Sequence, residues 1–367
     1  IALYSNGQIE EALDSVGALI KDYPDEALLY NISGACYASL GQLDTAVKLY
    51  EKAIAMKPDY AEAHNNLGGT LQELGQLDAA VKSYELALAI KPDYAEAHNN
   101  HGNTLKELGQ LDAALKSYEK ALAIFIFADK PGYAEAFNNL GIVLKELGEL
   151  DTAVNSYEKV LAIKPDFAEA HFNLGLTLQE LGQLDAAVKS YKQALAIKPD
   201  YAEAHNNLGI TIKDLGQPDA AVKCYEQALA IKPDYAEAHN NLGNALKNLG
   251  QLSAAVKSYV ESLDIKPDYA DAHNNLGNAL MELGRLDASV KSCQKALSIK
   301  PDFADAHFNL GITFQKLKQL DKALESYESA IALNTNIDFI LGILLNTKMK
   351  LCLWDDLAKR LNKLTKK

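Results

Sequence analysis

The sequence predicts an all-α solenoid, a row of antiparallel helix pairs stacked one upon the next, and three observations predict it. The string PDYAEAHNNLG returns with small variations, its proline falling at Pro58, Pro92, Pro131, Pro165, Pro199, Pro233, Pro267 and Pro301, at intervals of 34, 39, 34, 34, 34, 34 and 34 residues. Such a period holds two helices with their turns and is the mark of a repeat architecture. Within each copy the apolar residues recur at helical spacing rather than in the alternation of a strand. Gly and Pro stand between the periodic stretches, where helices end.

The elements follow in order. Residues 1–26 match only the latter part of a repeat, with Gly7, Ala12 and Pro24 at the expected places, so the chain is expected to begin within a repeat, as a fragment. Complete repeats then run 27–60, 61–94, 95–133, 134–167, 168–201, 202–235, 236–269, 270–303 and 304–337, nine tandem copies. In 202–235, Pro199 lies outside the first helix, Asp200 reads as its N-cap and Glu203 as the acidic member of a capping box. Leu208, Ile212 and Leu215 follow at helical spacing, and Gly216 to Pro218 break the pattern. Asp219 then opens a second helix with Ala221, Tyr225 and Ala228 on one face, and Pro233 stops it.

Two stretches depart from the period. Repeat 95–133 carries five extra residues, Phe125, Ile126, Phe127, Ala128 and Asp129, and has His101 where its neighbours have Leu. Five residues are not a whole number of turns at 3.6 per turn, so the insert is expected to interrupt stacking between the third and fourth repeats. The alternatives are a longer second helix that still packs, or an apolar protrusion that docks a partner or another copy. From residue 338 the period fails. Residues 338–367 read as capping helices or as a junction to a further domain, with Trp354 ahead of Asp355 and Asp356 at the start of a last helix.

Composition narrows the function. The formal net charge of −13 and a pI near 5.1 argue against nucleic-acid binding, which needs clustered Lys and Arg, and favour basic or neutral partners. Cys36, Cys224, Cys293 and Cys352 are far apart and form no CxxC spacing, which fits a reducing, cytoplasmic setting. No apolar run is long enough to span a membrane, and no signal peptide is evident.

Gly209, Ala221, Tyr225 and Ala228 recur as Gly68, Ala80, Tyr84 and Ala87, and again as Gly175, Ala187, Tyr191 and Ala194, each set followed by proline. This pattern resembles the tetratricopeptide repeat. The resemblance implies a right-handed superhelix whose first helices line an inner groove, and a protein-protein interaction scaffold for extended peptide or protein clients. The departure lies at position 4, where a large aromatic is expected and seven repeats have His, with Phe137 and Tyr30 in two others. Near the C-terminus, Leu344, Leu345, Lys348, Met349, Cys352, Trp354 and Asp355 resemble the junction in O-linked N-acetylglucosamine transferases of the SPINDLY type, with Asn346 and Leu353 where His and Asp are expected. That resemblance implies a substrate-recognition arm whose chemistry lies outside this chain. A plain capping helix is the alternative, and end-to-end self-assembly through the incomplete first repeat is the rival from a different class.

Three rows of residues are candidate sites. His64, His98, His171, His205, His239, His273 and His307 come one per repeat. Neighbouring helices lie about 8–10 Å apart and zinc ligands within about 2.0–2.3 Å of the metal, so packing is expected of them and no metal. Glu62, Glu96, Glu135, Glu169, Glu203, Glu237, Asp271 and Asp305 are read as helix caps. Without a phosphate-binding loop, nucleophile elbow or Cys/His dyad, neither catalytic residues nor a cofactor are expected. Asn66, Asn100, Asn139, Asn173, Asn207, Asn241, Asn275 and Asn309 occupy position 6 of successive repeats, where an amide has no helix-favouring role. An amide both donates and accepts, so the row is expected to grip an extended peptide through its backbone, as a similar row does in the transferases just named. The other reading is that these amides bond neighbouring helices or face water. A lysine at position 5, needed to clamp a terminal carboxylate, is replaced by Asn65, Asn99, Phe172 and Asn206.

Overall fold

The computed structural model describes residues 2–128, 133–333 and 338–353, and all regular structure among them is helical. A short α1 (Ala2–Ser5) and α2 (Ile9–Asp22) precede the pairs. The first helices are α3 (Ala27–Ser39), α5 (Ala61–Glu73), α7 (Ala95–Glu107), α9 (Tyr133–Glu146), α11 (Ala168–Glu180), α13 (Ala202–Asp214), α15 (Ala236–Asn248), α17 (Ala270–Glu282) and α19 (Ala304–Lys316). The second helices are α4 (Leu43–Met56), α6 (Leu77–Ile90), α8 (Leu111–Ala128), α10 (Leu150–Ile163), α12 (Leu184–Ile197), α14 (Pro218–Ile231), α16 (Leu252–Ile265), α18 (Leu286–Ile299) and α20 (Leu320–Leu333), and α21 (Asp338–Lys350) follows. The chain divides into two compact bodies, residues 1–183 and 184–367, described separately below. Within each body every helix packs on the next, an α-solenoid.

A small residue against a ring sets the packing inside each pair. A Cβ built on Gly141 would meet Tyr157 Cε1 at 2.7 Å, and one on Gly209 would meet Tyr225 Cε1 at 2.7 Å. Only glycine lets the first helix approach that closely. The rings fill the seam completely, and Ala153, Val160, Ala221 and Ala228 beside them are likewise sealed from water. Between the helices of a pair the turn needs a left-handed residue, supplied by Gly75 at φ 72° and Gly216 at φ 78°. The last repeat places Lys318 there at φ 62°, without glycine's freedom.

The connection between pairs corrects the capping-box reading. Lys57 O accepts from Tyr60 N at 3.1 Å, so Pro58 and Asp59 are the central residues of a β-turn, and the aromatic residue is the N-cap. In 202–235 the N-cap is Tyr201, with no side-chain cap, and Asp200 lies one residue outside. The acidic row therefore does not cap. Three of its members pair instead with the lysine closing the same repeat: Glu62 with Lys91 at 3.4 Å, Glu203 with Lys232 at 3.6 Å and Glu237 with Lys266 at 3.4 Å. Those lysines also lie over the rings of Tyr94, Tyr235 and Tyr269. Both ends of these pairs are water-exposed, so each contributes little.

The insert does not interrupt stacking of the first helices. Helix α8 simply runs on to Ala128, and Asn139 of α9 still bonds Asn99 of α7, at 3.3 Å, the length of the Asn100 to Asn65 bond one repeat earlier. The extra residues fall after Ala121 and Leu122, which are buried, so they lengthen a helix end without displacing its packed part. Phe125 is buried too; the side chains of Ile126, Phe127, Ala128 and Asp129 lie outside the described residues. At the other end, α21 lays Ile340 and Leu344 on Phe314, Tyr327 and Ala330, and Lys348 pairs with Glu328 at 2.8 Å. Trp354, Asp355 and Asp356 lie outside the described residues.

Candidate functional site: an asparagine ladder

Seven of the eight position-6 asparagines form rungs between adjacent first helices, each donating from Nδ2 to the Oδ1 of a position-5 asparagine one repeat earlier. In the N-terminal body the rungs are Asn66 to Asn31 at 3.1 Å, Asn100 to Asn65 at 3.3 Å, Asn139 to Asn99 at 3.3 Å and Asn173 to Asn138 at 3.2 Å. In the C-terminal body they are Asn241 to Asn206 at 3.0 Å, Asn275 to Asn240 at 3.0 Å and Asn309 to Asn274 at 2.9 Å. Asn207 departs, donating to Glu203 O of its own helix at 2.9 Å; the position-5 residue one repeat earlier in sequence is Phe172, which has no amide oxygen.

The ladder is thus partly structural, as the second sequence reading held. Each rung amide spends an N–H group on a neighbouring helix; Asn139 donates to Asn103 Oδ1 as well, at 3.1 Å, and the oxygens of Asn66 and Asn309 accept from Asn65 and Asn278. The position-6 side chains nevertheless stay half-buried, except Asn309, which is buried, while most of the position-5 partners lie deeper. A rung fixes the rotamer, and at Asn100, Asn173, Asn241 and Asn275 it leaves one N–H and the oxygen of a half-buried amide outside the rung. In the N-terminal body a cavity of about 430 Å³ opens on this row, lined by Tyr4, Asn65, Asn66, Gly69 and Asn100 among others.

The position-5 asparagines were the part of the site that the sequence reading passed over, noting only that they are not lysine. The doublet Asn-Asn, one residue for each side of a rung, was the available signal. Position 9 was missed as well. Asn103 there accepts from the buried Tyr118 of its pair at 2.7 Å and Asn244 from Tyr259 at 2.8 Å. Where it is Ile142 or Ile210, the hydroxyls of Tyr157 and Tyr225 are buried without a partner.

The histidines are latches. Nε2 of His64, His98, His171, His205, His239, His273 and His307 lies 2.9–3.1 Å from the carbonyl oxygen of the proline six residues earlier, pinning the incoming turn. Tyr30 makes the same bond to Pro24 O through its hydroxyl, at 2.9 Å. The position-4 departure is therefore an exchange of one donor for another. Burial holds His98 and His273 below the ordinary histidine range. No group of three His, Cys, Asp or Glu among the described residues could hold a metal ion. Cys36, Cys224 and Cys293 are buried free thiols, and burial pushes Cys293 up to about 12. No described helix is long and apolar enough to cross a membrane.

The repeat geometry agrees with comparison to known families. A model described as "TPR repeat" matches residues 34–75, 70–109, 178–216, 212–250, 243–284 and 277–318. The chain belongs to the tetratricopeptide repeat family. Models described as "Tetratricopeptide repeat" match 93–166, 156–189 and 304–336, filling the remainder of the array. No curated protein matches the chain significantly. Among solved structures it is similar to Pseudomonas aeruginosa pilF at 21% identity, covering 62% of this chain and 94% of that one with a TM-score of 0.50, a likeness of fold. It is also similar to YrrB, "a TPR protein with an unusual peptide-binding site", at 25% identity, covering 52% and 96% with a TM-score of 0.44. For MamA the values are 26% identity, 44% and 95% coverage, and a TM-score of 0.41. Membership in this family supports a protein-interaction scaffold.

Proposed function

We propose that this tetratricopeptide-repeat chain is a non-catalytic, cytoplasmic scaffold that holds extended polypeptide segments against its first-helix face, gripping them through the ladder asparagines. The observation that carries the reading is the division of labour within each amide. One N–H is committed to the neighbouring helix, so the side chain is held in place before a ligand arrives and little ordering entropy is lost on binding. At Asn100, Asn173, Asn241 and Asn275 the part-exposed remainder offers an oxygen and a second N–H to a peptide backbone, whatever the peptide's side chains. Adjacent helices about 8–10 Å apart against about 3.3–3.6 Å per extended residue bring one rung opposite roughly every third peptide residue. Unpaired cysteines support the reducing compartment.

The test replaces Asn100, Asn139 and Asn173 by Ala in the N-terminal body and, separately, Asn241, Asn275 and Asn309 in the C-terminal body, with thermal unfolding and helicity measured alongside. Each lost amide contact is expected to weaken peptide binding by about 0.5–1.5 kcal/mol, so a triple variant that stays folded loses binding by tenfold or more. Undiminished binding by both triple variants removes the ladder from the mechanism. Light scattering of the unliganded chain decides against the self-stacking rival if the protein remains monomeric as its concentration rises.

A further inference from the structure

The ladder face is not uniform, and its irregularity indicates what kind of segment it selects. In α9 and α11 of the N-terminal body the face turns apolar: position 9 is Ile142 and then Leu176, and position 5 of α11 is Phe172 where α3, α5, α7 and α9 have Asn31, Asn65, Asn99 and Asn138. The rung from Asn173 to Asn138 sets the register of these two helices. Ile142 lies one turn beyond Asn138, and Leu176 one turn beyond Phe172, so the three occupy neighbouring positions of the two helices. All three keep part of their surface in water.

The fold gives up a hydrogen bond to present this surface. Tyr157 is fully buried in the same repeat as Ile142, and its hydroxyl has no partner, whereas the equivalent Tyr118 hydroxyl is satisfied by Asn103. An asparagine at position 142 would serve both the tyrosine and the solvent-facing side, yet isoleucine stands there. Charge brackets the patch. Along the same side of α9 and α11, Glu135 and Glu169 precede it, and Glu146 and Glu180 follow it, all four exposed. Lys145 is the only basic residue on the two helices apart from His171, and it is paired with Glu180 at 3.3 Å.

We infer that Ile142, Phe172 and Leu176 form a side-chain-reading subsite within the backbone-reading ladder, and that it takes a large apolar side chain flanked by Lys or Arg on an extended segment. The inference rests on the groove reading proposed above. The apolar patch excludes water around an aliphatic or aromatic side chain, and the flanking carboxylates favour positive neighbours and repel acidic ones.

Three labelled, unstructured peptides of equal length test it by fluorescence anisotropy: one of Gly, Ser and Asn only, one with a central Leu between lysines, and one with a central Leu between glutamates. The Leu-Lys peptide is expected to bind the parent protein roughly tenfold tighter than the neutral peptide, the ratio that partial burial of one leucine supplies, and the Leu-Glu peptide more weakly than the Leu-Lys one. The double substitution Ile142→Asn with Phe172→Asn installs residues that other repeats already carry at these positions, so the fold is retained. Its expected effect is to collapse the preference to about one while its melting temperature holds or rises, because Tyr157 gains a partner. A parent that binds all three peptides equally, or a double variant that keeps the full preference, overturns the subsite and leaves the ladder standing. A parent that binds none of them overturns the groove reading and the subsite together.

Discussion

Two stretches of the first-helix face share one backbone and differ in what they display. In α15 and α17 position 9 is Asn244 and Asn278, where Asn244 accepts from Tyr259 at 2.8 Å and Asn278 from Lys247 at 3.1 Å. In α9 and α11 it is Ile142 and Leu176, and in the repeat of Ile142 the buried Tyr157 hydroxyl has no partner. Beneath Asn244 and Ile142 the seam is the same, with a Cβ on Gly243 meeting Tyr259 at 2.5 Å and one on Gly141 meeting Tyr157 at 2.7 Å, whereas beneath Asn278 Gly277 faces Cys293. The difference teaches that this repeat separates its packing layer from its display layer. Glycine, alanine and tyrosine hold these two pairs together while position 9 varies; in α19, where it is Ile312, Tyr327 reaches Gln315 Oε1 at 2.8 Å instead.

The largest expected effect breaks the shared seam and should ignore the display. Gly243→Ala and Gly141→Ala push a methyl group into a sealed ring, overpacking worth about 1–3 kcal/mol, offset by at most about 1 kcal/mol of improved helix propensity. Each is expected to lower stability by about 1–2 kcal/mol in urea unfolding, alike in the two stretches. A variant as stable as the parent would show that the tyrosine ring does not fix the approach of the helices.

A smaller effect should separate the stretches. Tyr259→Phe removes a hydrogen bond and is expected to cost about 1 kcal/mol. Tyr157→Phe removes an unpaired buried hydroxyl, so it is expected to be neutral or stabilising by up to about 1 kcal/mol. Equal losses at the two sites would contradict the account of position 9. The hydroxyl of Thr177 lies near Tyr157 and donates to Asn173 O at 2.8 Å.

The smallest effect concerns the latches, one in each body. Burial is the main cause that holds His98 and His273 below the ordinary histidine value, with Lys120 and Lys295 adding to it and the proline carbonyls opposing it. The unfolded chain therefore takes up these protons first. Their contribution is fully present above the unfolded value of about 6.5 and is lost as pH falls from there through the depressed folded values. Melting temperatures should accordingly drop between neutral and mildly acidic pH. His98→Tyr with His273→Tyr adopts the bond Tyr30 already makes and should flatten that pH dependence; a profile unchanged by the double variant would assign it elsewhere.

Much of this molecule was legible in its residues. The period placed the helices, and Gly209 with Tyr225 marked the close approach of the pair, because a repeat that cannot bury its own face must say so in every copy. The asparagine row was visible for the same reason. Its chemistry was half legible: the sequence showed amides on one face, but whether they bond each other or a ligand depends on the separation of residues 35 apart, as in Asn66 and Asn31. The caps were misread because Asp200 is a favoured N-cap type, and only the backbone reveals that the N-cap is Tyr201, one residue later. The insert was misjudged because counting turns ignores where in a helix the added residues fall. Composition and period, which are local and repeated, determined the class of fold and the rows of candidate residues. Tertiary structure decided which partner each polar atom takes, because a hydrogen bond is settled by distances of a few tenths of an ångström between residues far apart in the chain.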